Sequence, residues 1–151
     1  MIEGDYAPSP TAWVRGQVEA IEAAADTAVV SIHGAPVVLL TMRGRSSGLL
    51  RKVPLIRVEH DGVYAVVGSL GGAPKDPLWV GNLRADPRVL VRDGRAQVAC
   101  RAREVTGAER AAWWERCVGV FGDFAAYQEK TVRSFPLFVL EPDHQADAEP
   151  D

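Results

Sequence analysis

The stretch Thr41 to Arg57 reads T-M-R-G-R-S-S-G-L-L-R-K-V-P-L-I-R, and the fold turns on how it is parsed. Gly44-Arg-Ser-Ser-Gly48 spells G-x-S-x-G, which in a nucleophile elbow must pass from a strand into a helix. Here the residues that follow, Leu50 to Val58, read as a strand, and so the loop joins two strands. That sets the elbow aside and predicts a hairpin in an antiparallel sheet. The stretch also carries five bases, Arg43, Arg45, Arg51, Lys52 and Arg57, with no acidic residue between Asp26 and Glu59. The chain as a whole has a formal charge of -3, so the basic island is local. Small residues let an anion approach the backbone, hydroxyls and amides donate to it, and arginines add forked charge. A bound phosphate is one reading; a solvated basic loop is the other.

Working outward, Pro36 to Met42 is a continuous apolar run, a buried strand. Pro54 belongs at an edge or bulge because it lacks a donor. His60-Asp61-Gly62 is a hairpin signal, and Val63 to Ser69 is the strand beyond it. Asp93-Gly94 marks a second hairpin, between Arg88–Arg92 and Arg95–Glu104. Pro136 to Leu140 is the last strand. Helices fall between: about 10–25, with Val14, Val18, Ile21 and Ala25 on one stripe; 78–84 after an Asp76-Pro77 cap; 106–120 behind a Thr106…Glu109 capping box; and a short one to Lys130 opened by Asp123. About six short strands with inserted helices suit an α+β, mostly antiparallel barrel rather than a doubly wound sheet. The expected division is a flexible N-terminus over 1–8, one domain over 9–142, and a flexible acidic tail over 143–151.

Size and charge exclude several classes. A chain of 151 residues fits one domain with a core of its own. Net acidity argues against broad nucleic-acid binding. No stretch approaches a membrane span and no signal peptide opens the chain, which makes the cytoplasm the expected location. The acidic polar face of the first helix argues against membrane contact. Cys100 and Cys117 read as reduced, buried thiols. His33, His60 and His144 lack metal-ligand spacing, so no metal site is expected. No P-loop follows Gly48, where Leu49-Leu50 stand. A basic Gly/Ser loop, a Gly-Gly loop with Lys75, and a set of aromatics remain. A phosphate anchor beside flat aromatic surface suits a phosphorylated tricyclic cofactor.

Taken together, L-L-T-M-R-G-R-S-S-G-L-L-R-K-V-P-L, the run V-E-H-D-G-V-Y-A-V-V-G-S-L-G-G-A-P-K-D-P-L-W-V-G-N-L, A-D-P-R-V, W-W-E-R and the closing F-x-x-Y-Q-x-K-T-x-R-x-x-P-L-F-V-L-E-P are specific. Over about Ser9 to Pro142 the sequence resembles the deazaflavin-dependent nitroreductases of actinobacteria, which use coenzyme F-420. The resemblance implies a split β-barrel of the FMN-binding type with peripheral helices. It implies cofactor contacts from Arg45, Ser46, Ser47, Gly48 and Arg51 to the anionic tail, and from Val67, Gly68, Ser69, Gly71, Gly72, Lys75 and Trp79 along the ring. It implies Trp13, Phe121, Phe124 and Tyr127 around the substrate, with Ser69 and Tyr127 as catalytic candidates. The activity implied is hydride transfer from reduced F-420 to a small planar electrophile: a quinone, an enone or a nitroaromatic. A non-catalytic F-420 carrier and an FMN-binding barrel are the alternatives. Two departures bear on this. Ser46 stands where the family carries lysine, and Phe121 and Phe124 lack the hydroxyls of the nitroreductases' tyrosines, which predicts poor handling of bicyclic nitroimidazoles. The oligomeric state is not legible.

Overall fold

The computed structural model describes residues 2–144. The tail beyond them, 145–151, lies outside the described residues. The described residues form seven strands and four α-helices: α1 (Ala12–Ala24), β1 (Val37–Arg43), β2 (Leu50–Ile56), β3 (Val58–His60), β4 (Val63–Val67), α2 (Leu78–Ala85), β5 (Arg88–Asp93), β6 (Ala96–Glu104), α3 (Gly107–Val120), α4 (Asp123–Glu129) and β7 (Leu137–Pro142). The strands make one antiparallel sheet in the order β2-β1-β5-β6-β7-β4-β3.

The hairpin parse of the basic stretch holds: β1 and β2 pair in unbroken register from Val37↔Ile56 to Arg43↔Leu50. The strand expected over Leu50 to Val58 is in fact two. It breaks at Arg57, whose amide donates to the Pro36 carbonyl at 2.9 Å. The halves β2 and β3 then occupy opposite edges of the sheet order. Two edges joined by one residue of chain mean that the sheet curls into a split barrel. The Arg57 Nε donates to both oxygens of Asp93 at 2.9 and 3.0 Å, and the Tyr64 hydroxyl donates to Asp93 at 2.8 Å. These contacts tie the break to β4 and to the end of β5. Burial and the Asp93 carboxylate push the Tyr64 phenol well above its ordinary range.

β1 is buried on both faces, which explains its continuous apolar run. Val38, Leu40 and Met42 point into the barrel with Val66, Val91, Phe138 and Leu140. Val37 and Leu39 pack outside against Val18 and Ile21 of α1. The stripe on α1 therefore covers the outer face of the sheet. α2 closes one end through Trp79, Val80 and Leu83. α3 and α4 form a second layer over Ala65, Val67, Leu137 and Val139, through Trp113, Cys117, Phe121 and Phe124.

Three local cap expectations fail, two of them because a charged partner outcompetes the helix terminus. Asp76 does not cap α2, which starts behind Pro77 with no side-chain cap, but pairs with Arg133 at 2.6 Å. Glu109 does not close a capping box with Thr106; it takes two bonds from Arg103 at 2.8 Å. Gly122, not Asp123, holds the cap position of α4. The N-terminal segment, expected to be loose over 1–8, has backbone partners. Tyr6 bridges to Leu50, the Ala7 amide donates to the Leu50 carbonyl, and the Leu50 amide donates to Asp5.

Candidate functional site

A cavity of about 950 Å³ lies between β2, the loop from Ser69 to Leu78, the start of α1 and α4. One end is basic and polar, lined by Arg45, Ser46, Ser47, Arg51, Lys75 and Asn82. The other is apolar, lined by Trp13, Ile32, His33, Phe121, Phe124 and Tyr127. The β2 side chains form the wall between the ends.

The basic end is assembled by local chemistry. The turn between β1 and β2 is knitted internally. Gly44 donates to Leu49 at 2.8 Å, Gly48 donates to Gly44 at 2.9 Å, and the Leu49 amide donates to Ser47 Oγ at 3.1 Å. Gly48 sits at φ 75°, where a side chain would be strained. The Arg45 amide donates to Asn82 Oδ1 on α2 at 3.1 Å. Its guanidinium lies so close to α2 that a Cβ on Gly81 would come within 2.9 Å of Nη1. The amides of Gly44, Arg45, Gly48 and Leu49 are thus spent within the protein, which leaves those of Ser46 and Ser47 and the side chains to meet an anion.

Of the five bases in the stretch, three are structural. Arg43 donates to the Gly48 and Glu3 carbonyls, Lys52 pairs with Glu22 at 2.7 Å, and Arg57 holds Asp93. Arg45 and Arg51 have no ion-pair partner among the described residues, and neither has Lys75 across the cavity. Three uncompensated cations converging on one end of a cavity are a fitting anchor for a polyanion.

At the apolar end, Phe121 meets Phe124 edge to face at 5.1 Å and Tyr127 at 6.0 Å. His33, weighed in the sequence only as a metal ligand, stacks on Phe121 at 6.1 Å as a wall residue. Phe121 and Phe124 are buried, whereas Trp13 is 57% exposed at the mouth. Ser69 is a buried polar residue lining the cavity, and its hydroxyl has no protein partner among the described residues. The Tyr127 hydroxyl has none either, while Lys130 Nζ lies 5.4 Å above its ring. Val67, Gly71 and Trp79 also line the cavity, and Trp79 doubles as core, edge-on to Phe138 at 5.9 Å.

Gly48, Gly68 and Gly72 do not line it. Gly68 is a spacer, since a Cβ there would lie 2.9 Å from Val80. Gly72, at φ 85°, lets α4 sit down, since a Cβ would come within 2.8 Å of the Tyr127 carbonyl. Missed by sequence reasoning were Asn82, His33 and Arg133, whose side chain supports the loop beneath the cavity; Asn82 and Arg133 fall within the recognisable motifs, and nothing in the sequence signalled His33 as a wall residue. Among the described residues no cluster of three or more His, Cys, Asp or Glu is placed to hold a metal. No helix among them is long and apolar enough to cross a membrane.

A split barrel whose cavity is basic at one end and apolar and aromatic at the other suits a phosphorylated ring cofactor of the flavin or deazaflavin type. The comparisons settle which. The family model described as F-420H(2)-dependent quinone reductase matches residues 13–142, and the chain belongs to that family. It is therefore an F-420-dependent reductase, and its cofactor is coenzyme F-420. The Mycobacterium tuberculosis F-420H(2)-dependent quinone reductase Rv1261c is 30% identical over 113 residues, covering 72% of this chain and 76% of its own. A solved F-420-H2 dependent reductase, FDR-A, is 47% identical with a TM-score of 0.67, over 70% of this chain and 94% of its own. A second solved chain, described as a domain-swapped dimer, is 46% identical with a TM-score of 0.70, over 88% of this chain and all of its own.

Proposed function

We propose that the protein passes a hydride from reduced F-420 to a small planar acceptor, of which quinones fit best, and that it works in the cytoplasm. The observation that carries this reading is the polarity of the cavity: uncompensated cations at one end, stacked aromatics at the other. The coenzyme, when bound, supplies the hydride from its deazaflavin ring.

Everything else falls to the chain. Arg45, Arg51 and Lys75, with the Ser46 hydroxyl, hold the anionic tail. Val67, Ser69, Gly71 and Trp79 line the place of the ring. Ser69 brings a hydroxyl without a protein partner among the described residues to the cavity wall, where a polar ligand atom could pair with it. Phe121, Phe124 and Tyr127 roof the acceptor and keep water out, and Trp13 narrows the mouth. Tyr127 offers the roof's hydroxyl, to orient the acceptor or to pass it a proton, with solvent as the other proton source.

The test has two stages. Purified protein is titrated with oxidised F-420 and with FMN, following quenching of coenzyme fluorescence; selective F-420 binding is expected. Oxidation of reduced F-420 is then followed with menadione, cyclohexenone and a nitroarene, with menadione fastest. Binding of FMN but not F-420 would sink the proposal, as would failure of all three acceptors.

A further inference from the structure

Arg133 is not among the residues assigned above to hold coenzyme or acceptor, yet it makes the densest set of polar contacts among the described residues. Its side chain is 14% exposed and every guanidinium N–H is used. Nε donates to the Ala73 carbonyl at 3.1 Å. Nη1 donates to the Gly68 carbonyl at 2.9 Å and to Asp76 Oδ1 at 2.6 Å. Nη2 donates to the carbonyls of Ser69 at 2.9 Å and Ala73 at 2.8 Å. Its backbone is held from the other side: the Gln128 side chain of α4 donates to the Arg133 carbonyl at 2.6 Å.

We infer that Arg133 is a positioning residue that sets the coenzyme floor, Gly68 to Asp76 with Ser69 at its centre, against the roof helix α4. The inference rests on the reading of this cavity as the F-420 site. The floor is a stretch of loop whose backbone carbonyls have few strand partners: β4 ends at Val67 and α2 begins at Leu78. A planar, five-donor fork can fix several carbonyls at once in a fixed mutual geometry. The Asp76 carboxylate compensates the charge, so the cation neither competes for the coenzyme's anionic tail nor stays uncompensated in a half-buried place. Where the chain turns under the roof, Gly72 removes the Cβ that would hold α4 off the floor. Floor and roof thus meet at fixed separation. Ser69 is aligned from behind, through its carbonyl, and its hydroxyl is left for the ligand.

The test is a binding cycle with oxidised F-420, read as the dissociation constant from fluorescence quenching, with a thermal melt on each variant. Arg133→Lys keeps the charge beside Asp76, but one ammonium cannot span the three carbonyls. It is expected to weaken binding roughly tenfold, as a displacement of the floor should. Ser69→Ala is expected to weaken it several-fold, and the double variant to bind no worse than Arg133→Lys alone, because the two act through one contact. Gln128→Ala, a change outside the cavity lining, is expected to weaken binding too. Unchanged binding in Arg133→Lys, or losses that multiply in the double variant, would overturn the inference. If Arg133→Lys does not fold, Gln128→Ala decides alone, and unchanged binding there overturns it. Wild-type protein that fails to bind F-420 would sink the reading of the cavity, which is a distinguishable failure.

Discussion

Replacing Ser46 with lysine adds one cation to a site whose existing cations are Arg45, Arg51 and Lys75. Ser46 is exposed in the turn between β1 and β2, so the longer side chain meets no packing penalty. The turn's internal bonds run through Gly44, Ser47, Gly48 and Leu49, and the substitution leaves them intact. A unit charge about 6 Å from a tail phosphate gains roughly 0.7 kcal/mol at the dielectric of water and roughly 3 kcal/mol at an effective value near 20. Exposed pairs realise the low end, about 0.2–1 kcal/mol, because ordering a lysine costs entropy and salt screens the charge. F-420 should therefore bind Ser46→Lys more tightly at low ionic strength, by a factor of about 1.4 to 5. The gain should vanish near 1 M salt, where the screening length falls to about 3 Å. Fluorescence titrations at the two salt concentrations measure both effects. Unchanged or weaker binding at low salt would refute the path assigned to the tail, and a gain that survives 1 M salt would refute its electrostatic origin.

Other consequences are open to direct measurement. Trp13→Ala should raise the KM for a quinone several-fold while leaving F-420 binding and the melting temperature near wild type, since Trp13 lies exposed at the mouth. Bicyclic nitroimidazoles should turn over at least about tenfold more slowly than menadione, because Phe121 and Phe124 offer no hydroxyl to a polar acceptor; comparable rates would count against the roof assignment. Burial pushes the Cys117 thiol up to about 12. In the unfolded chain it ionises near its ordinary 9.0, so from there towards 12 the unfolded state binds fewer protons than the folded one. Stability from this group is thus complete below pH 9 and falls by about 1.4 kcal/mol per pH unit above it. Cys117→Ala should flatten that alkaline slope in chemical denaturation. A thiol reagent at pH 8 should leave Cys117 unmodified until denaturant is added.

The class of fold was legible because its signals are local. Apolar runs, turn residues and the strand after the Gly/Ser loop each depend on a few neighbours in the chain, and they read as a mostly antiparallel barrel with helices between its strands. The family signatures carried the cofactor for the same reason: they are contiguous. What the chain could not show by itself is where each charge finds its partner. Arg43, Lys52 and Arg57 look no different in sequence from Arg45 and Arg51, yet Glu22 and Asp93, brought close only by the fold, occupy two of the first three. Asp76 and Glu109 sit at good capping positions and were drawn away, Asp76 by Arg133 from a distant segment and Glu109 by Arg103 from the end of the preceding strand. The break at Arg57 was invisible for a related reason. Nothing local ends that strand; the pairing of its halves to opposite edges of a curled sheet does. Sequence determined that Thr41 to Arg57 is a basic hairpin at the rim of a barrel. Tertiary structure alone decided that two of its five bases remain free to face a ligand, because an ion pair is a contact in space and is indifferent to separation along the chain.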